Sequence, residues 1–169
     1  GSLDAGRMMR TLLAHAWAAD VPVLTSCEVT EVADAAAGHQ LRLANGATIR
    51  ASKVLLATNA FATELQPTLA VVPGRGQVLV TEPLPDVALP GTFHYDHGYA
   101  YFRQLPDHRI LLGGGRNLDF SAEEKTAPGR TGPVQQYLEN LLHEVMLPGQ
   151  RPRIDYRWSG VMGFGPALA

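Results

Sequence analysis

The chain is short of the features that would place it at a glance. Cys27 is its one cysteine in 169 residues, so no disulfide can close within it, and a lone thiol fits a reducing, cytoplasmic setting. No apolar run approaches the roughly 20 residues needed to span a bilayer, and no signal peptide is visible. Lysine occurs only at Lys53 and Lys125. The remaining cations are arginines, a bias for which codon usage is the favoured cause, and whose planar forks make fixed contacts where any are functional. The formal net charge is −2, which leaves no electrostatic footprint for nucleic acid or anionic membrane. No G-x-S-x-G or H-E-x-x-H occurs, so hydrolase readings lack support. What is present is an ordinary globular composition, 46% hydrophobic and 18% charged.

Met9, Leu12, Leu13, Ala16 and Trp17 recur at helical spacing and predict an amphipathic helix over 5–19, capped by Asp4 and ended by Val21-Pro22. Short β segments follow at Val23–Thr25 and Glu28–Val32. Leu41–Leu43 and Thr48–Ile49 flank Asn45-Gly46, a strong hairpin signal. Val54–Ala57 is continuously apolar and reads as a strand buried on both faces. After Pro67 the texture changes. Val71–Val72, Gln77–Thr81, Tyr99–Arg103 and Ile110–Gly113 are strand-like between Pro- and Gly-rich turns, which predicts an antiparallel meander. Thr131-Gly-Pro-Val opens a second helix through about Leu147, with Leu138, Leu141, Leu142 and Val145 as its apolar face. Ile154–Trp158 reads as one further strand. Boundaries fall near residues 70 and 155. On residues alone, this is an α/β domain with an antiparallel-sheet insertion.

Within "KVLLATNAFATEL", residues 53–65, side-chain bulk collapses at Ala57, Thr58, Asn59 and Ala60. Thr58 or Asn59 capping a short helix over Ala62–Leu65 is one explanation. Room for a flat or phosphorylated group against the backbone is the other. Gly113-Gly-Gly-Arg116 follows a strand but lacks the G-x-G-x-x-G spacing, so close packing or a bulge is favoured over phosphate binding. His94 and His97 flank Asp96 without a nearby third or fourth donor, and read as satisfied or pocket-lining histidines rather than metal ligands. Tyr95, Tyr99, Tyr101 and Phe102 form the densest aromatic cluster, for which core packing is favoured over a ligand pocket.

The order of motifs carries more than any one of them. "GSLDAGRMMRTLLAHAWAADVPVLTSCEVTEV", the Asn-Gly hairpin, "KVLLATNAF", "VVPGRGQVLVTEPL", "YDHGYAYFR", "RILLGGGR" and "YRWSG" follow one another as in the D-amino-acid oxidase superfamily. Within it the chain most resembles the FAD-dependent glycine oxidase, sarcosine oxidase and γ-glutamylputrescine oxidoreductase group, over almost its whole length. The resemblance implies an α+β or α/β fold. Residues 1–70 would be part of a Rossmann-like FAD-binding domain, with the 5–19 helix packed on it. Residues 71–154 would be the substrate domain, with one helix near 133–147, and 155–169 a return to the cofactor domain. It also implies that the chain is an excerpt from the middle of such an enzyme, with a tendency to self-associate. By the same resemblance Ala57, Thr58, Asn59 and Ala60 pass close to FAD, and the backbone at Val29 meets its adenine end. His97 and Tyr99 match positions that line the substrate pocket.

The reaction so implied is oxidation of a C–N bond: hydride passes from substrate to flavin, leaving an imine that hydrolyses. The partner is a small-molecule amine or amino acid, with no nucleic acid or membrane. One departure bears on the substrate. In α-amino-acid-oxidising relatives an arginine commonly follows the W-x-G motif by two positions and grips the carboxylate. Here Trp158-Ser-Gly160 is followed by Val161 and Met162. Either Arg116, where relatives often have an apolar residue, takes over from the other side, or the substrate lacks an α-carboxylate there. The balance leans to an amine or γ-glutamyl-amine. The alternative from another class is a non-catalytic module whose aromatic sheet binds a peptide or small ligand.

Overall fold

The computed structural model describes residues 2–165. They form two compact units, one of Ser2–Thr58 with Glu64–Pro67, the other of Asn59–Thr63 with the chain from Thr68 onward.

In the first unit, α1 spans Ala5–Ala18. Asp4 Oδ1 accepts the Arg7 backbone N–H at 2.8 Å, satisfying one of the amides that a helix start leaves unpaired. Asp20 turns left-handed, at φ 53°, before Val21-Pro22. The helix lies where its periodicity puts it, but it is not packed as expected. No α1 residue is buried, and Met9, Leu12 and Trp17 are each more than half exposed. Helical spacing specifies the apolar stripe and leaves open what covers it. The strands β1 (Val29–Ala35), β2 (Gly38–Leu43) and β3 (Thr48–Ala51) form an antiparallel meander. Asn45 and Gly46 close its second turn: Asn45 Oδ1 accepts the Ala47 N–H at 3.0 Å, and Gly46 sits at φ 84°. The strands expected at Val23–Thr25 and Val54–Ala57 do not form. A strand is held by a ladder to its neighbours. Among the described residues neither run belongs to a sheet, and Leu55 is 89% exposed.

The second unit is built on β4 (Val72–Thr81), β5 (Thr92–Tyr95), β6 (Ala100–Gln104), β7 (Ile110–Gly114) and β8 (Ile154–Phe164). Their order is β5-β6-β7-β4-β8, with every pairing antiparallel. Strand β4 runs unbroken through Pro73-Gly74-Arg75-Gly76, where the sequence reads as two segments, because β8 pairs with it from Val72↔Phe164 to Thr81↔Ile154. Ile154–Phe164 is therefore an edge strand of this sheet, across the boundary drawn near 155; residues 166–169 lie outside the described part. Strand β5 is too short for its alternation to register in the sequence.

Two single turns, α2 (Ala62–Leu65) and α3 (Phe120–Glu123), precede α4, which spans Gly132–Asn140 and continues as a π-helical turn over Leu141–Met146. Leu79, Ala100, Ile110 and Leu112 of the sheet meet Val134, Leu138, Leu141, Leu142 and Leu147, forming the core. Each such leucine or valine contributes about 1.5–3 kcal/mol on burial. Val145 does not join that face and is 54% exposed. The wider turn is the reason: the Leu147 N–H donates to the Leu142 carbonyl, five residues back, at 2.9 Å. That geometry turns Leu147 inward in place of Val145. Alternation along β4 puts Arg75, Gln77, Leu79 and Thr81 on the α4 side and Gly74, Gly76, Val78 and Val80 on the other.

Candidate active site

The sheet face turned away from α4 carries little side-chain bulk at its centre. Gly74 and Gly76 of β4, Gly113 of β7 and Gly160 of β8 share it, with Gly76 directly opposite Gly160. Tyr101, Trp158 and Met162 rise around them, each more than a third exposed. Where this face meets the β5–β6 hairpin tip and the end of β7, a pocket of about 310 Å³ opens. Gly76 and Gly114 line its base, Tyr99, Tyr101, Met162 and Phe164 its sides, and the loop after β7 adds Arg116 and Phe120.

The triple glycine exists for close packing. A Cβ on Gly113 would stand 2.6 Å from the Tyr101 ring, so the absence of a side chain lets the phenol lie flat across β7. A Cβ on Gly114 would overlap the Tyr99 carbonyl, and its φ of 128° is closed to side chains in any case. The Gly115 N–H then donates to that same carbonyl at 2.9 Å, pinning the loop to the hairpin. At the tip, Asp96 and His97 are both left-handed, at φ 51° and 54°. Such strain persists only where surroundings enforce it. Here the Asp96 carboxylate accepts from Asn117 Nδ2 at 3.2 Å and from the Tyr137 hydroxyl at 3.3 Å, joining the tip to the loop and to α4.

Arg116 has the most telling environment. Its guanidinium carbon lies 4.0 Å from the Phe164 ring centre and 5.0 Å from that of Phe120. Its Nη1 is buried without a hydrogen-bond partner. Burial pushes the Tyr101 phenol above its ordinary pKa, so at neutral pH it is a protonated donor. Behind this wall, on the α4 side, Arg75 Nε and Nη2 donate to the Glu123 carboxylate at 2.7 and 3.1 Å. Gln77 Nε2 and the Thr131 hydroxyl each add a bond to Glu123 at 2.9 Å. This buried knot holds α3, and with it Phe120, against β4.

The structure brings Tyr99, Arg116 and Met162 together around one pocket. His97 is exposed on the hairpin tip and does not line it, although its neighbours Gly98 and Tyr99 do. Val29 opens β1 opposite Leu43 in the first unit, where Ala57 and Thr58 lie exposed in an extended run. Asn59 and Ala60 belong to the second unit. Ala60 is fully buried, and the Asn59 side chain serves β8 rather than a helix start: its Nδ2 donates to the Val161 carbonyl at 3.4 Å and its Oδ1 accepts the Gly163 N–H at 2.7 Å. Tyr101, weighed from sequence as core, lines the pocket; its alternation with buried Ala100 and half-buried Phe102 along β6 is the signal that could have found it. Phe120 and Phe164 left no such signal.

Solved structures with this fold include glycine oxidase from Geobacillus kaustophilus (TM-score 0.75, 20% identity over 93% of this chain and 42% of that one). Iminodiacetate oxidase from Chelativorans sp. matches at TM-score 0.70 and 17% identity, over 95% of this chain and 43% of its own. Glycine oxidase from Bacillus cereus gives 0.73 and 12%, covering 94% and 44%. At these identities the likeness speaks to the fold. The chain spans well under half the length of each of these structures. Among curated proteins none matches it. The model of the FAD-dependent oxidoreductase family matches residues 1–167. Nearly the whole sequence is thus accounted for, and the chain belongs to the family of FAD-dependent oxidoreductases, with FAD as the implied cofactor.

Proposed function

We propose that the protein oxidises a C–N bond of a small amine or amino acid, with FAD accepting the hydride. The observation that carries this reading is the pocket: a small recess over a glycine-rich sheet face, walled by Tyr99, Tyr101 and Phe164 and holding one guanidinium. The names of the structural neighbours, glycine oxidase, iminodiacetate oxidase and L-proline dehydrogenase, support small amino and imino acids as the substrate class.

The residues proposed to meet FAD fit it unevenly. Ala57 and Thr58 are exposed and small in an unpaired run, so their backbone is open to a flat or phosphorylated group. Asn59 has its side-chain amide engaged by β8, and Ala60 is buried, so these two shape the edge rather than reach out from it. FAD, when bound, supplies the two-electron acceptor. This chain's part is to bind and orient the substrate. The aromatic walls exclude water, and Arg116 places a fixed positive charge in the same recess. Both disfavour an ammonium ion and favour the neutral amine, the form that can release hydride. Loss of hydride would leave an iminium ion; water adds to its carbon, and ammonia or an amine leaves with one proton released, giving a carbonyl compound.

The test is anaerobic mixing of the FAD-loaded full-length protein with glycine, N-methylglycine, proline and putrescine, following flavin absorbance. At least one should bleach the flavin. A flavin left oxidised by every amine, in a protein that still binds them, would make it a ligand-binding module and end the proposal.

A further inference from the structure

We propose that Arg75 and Glu123 are a positioning pair: from behind the sheet they set where Phe120 closes the recess, and thereby the size of amine it admits. Neither residue lines the recess itself. The assignment deepens the C–N oxidation reading and rests on it for the identity of the ligand as substrate.

Phe120 cannot place itself. It opens α3, which is four residues long, and a single turn has no stability of its own. Its ring is 39% exposed, and meets the edge of Tyr99 at 6.1 Å between centroids and the Arg116 guanidinium at 5.0 Å. The fixed point lies three residues on, at fully buried Glu123. Both its carboxylate oxygens are occupied. Arg75 Nε donates to Oε2 at 2.7 Å, while Arg75 Nη2, Gln77 Nε2 and the Thr131 hydroxyl converge on Oε1 at 3.1, 2.9 and 2.9 Å. Arg75 Nη2 also donates to the Ala122 carbonyl at 3.4 Å, so the fork holds the backbone of the turn as well as its side chain.

The other end of the pair sits in the floor. Arg75 lies between Gly74 and Gly76 on β4, and Gly76 lines the recess. Alternation sends the Arg75 side chain to the opposite face. One fork therefore ties the floor strand to the wall turn. Gly129 covers it: a Cβ there would stand 3.0 Å from Arg75 Nη1, and the Gly129 N–H donates to Ser159 Oγ of β8 at 3.0 Å. Stability does not call for this arrangement, since apolar side chains of like volume commonly hold a core as well as a buried ion pair does. What a bidentate pair adds is direction: two parallel bonds fix the angle of the turn as well as its distance.

The experiment separates direction from stability. Arg75→Met combined with Glu123→Leu replaces the pair by apolar side chains, and Gln77 keeps its bonds to Thr131 and Gln135. In the FAD-containing full-length protein this double variant should melt near the parent temperature and yet lose selectivity. Each amine that bleaches the flavin is compared with its N-benzyl derivative. The ratio of their flavin-reduction rates should shrink by on the order of 10- to 100-fold, as for a wall displaced by about 1 Å. Fluorine NMR with 4-fluorophenylalanine in place of Phe120 gives a readout independent of turnover: the resonance should shift and broaden in the double variant. Arg75→Lys, which keeps the charge and loses the fork, should show both effects in part, and it carries the test if the double variant does not fold. Parent-like selectivity in a folded variant overturns the proposal, and so does an unmoved resonance. If no amine bleaches the flavin, C–N oxidation falls, and the fluorine resonance still decides whether the pair places Phe120.

Discussion

At the scale of single residues, Gly113 and Gly114 adjoin in sequence and meet different obstacles. Beside Gly113 is the Tyr101 ring, which can rotate; beside Gly114 is the Tyr99 backbone, which cannot. Gly113→Ala should therefore cost about 1 kcal/mol and push Tyr101 over the pocket. Gly114→Ala, strained in φ as well, should cost about 3 kcal/mol or more. Gly160→Ala, with nothing within 4 Å of the added carbon, should cost well under about 1 kcal/mol. Urea unfolding of the three variants checks the order, and a Gly114 variant as stable as the Gly160 one would refute the packing account. Residue type made part of this site legible. An arginine beside three glycines after a strand marked Arg116, and the W-x-G departure marked Met162. Sequence could not show that Phe164 and Phe120 close on that arginine, because their approach depends on the β4–β8 register and on a turn some 50 residues away from one of them in the chain.

At the scale of elements, the π-helical turn after α4 makes a measurable distinction. Leu138→Ala should cost about 2–5 kcal/mol, whereas Val145→Ala should stay within about 0.5 kcal/mol. A 3.6-residue period carried through to residue 145 would predict comparable losses, so thermal melts of the pair discriminate. The buried knot behind Phe120 gives a pH signature. Burial pushes the Glu123 carboxyl up, but hydrogen bonds from Arg75, Thr131 and Gln77 outweigh it, and the group ends below its ordinary value of 4.5. A carboxyl lowered in the folded state adds stability that is complete above that ordinary value and is lost as pH falls through the lowered one. Glu123→Gln should cost about 3–5 kcal/mol at neutral pH, since Arg75 stays buried without its charge partner. It should also flatten the acid limb of the stability curve; an unchanged limb would place the acid transition elsewhere. The meander, the Asn-Gly hairpin and both longer helices were readable because local periodicity and turn chemistry specify them. Val54–Ala57 was misread because an apolar run reports burial propensity and is silent about a partner strand.

At the scale of the whole molecule, order is unequally shared between the two units. The second holds the core of Leu79, Ile110, Leu112, Leu138 and Leu142; among the described residues of the first, only Leu43 is a buried hydrophobic. Hydrogen exchange of this chain should accordingly find the amides of β4 and β7 slowest and those of α1 and β1–β3 fast. Equal protection in the two units would contradict that ranking. No described helix is long and apolar enough to cross a membrane. Asn59 has a further consequence at this scale. Strand β8 is an outer strand of its sheet, and the amide of Asn59 occupies the Val161 carbonyl and the Gly163 N–H. A side chain thereby stands where the backbone of another molecule could add itself as a further strand. Asn59→Ala would uncover two docking points on a long edge, and its harm would be seen as turbidity at rising concentration; a variant as clear as the parent would show that this carboxamide is no guard against polymerisation.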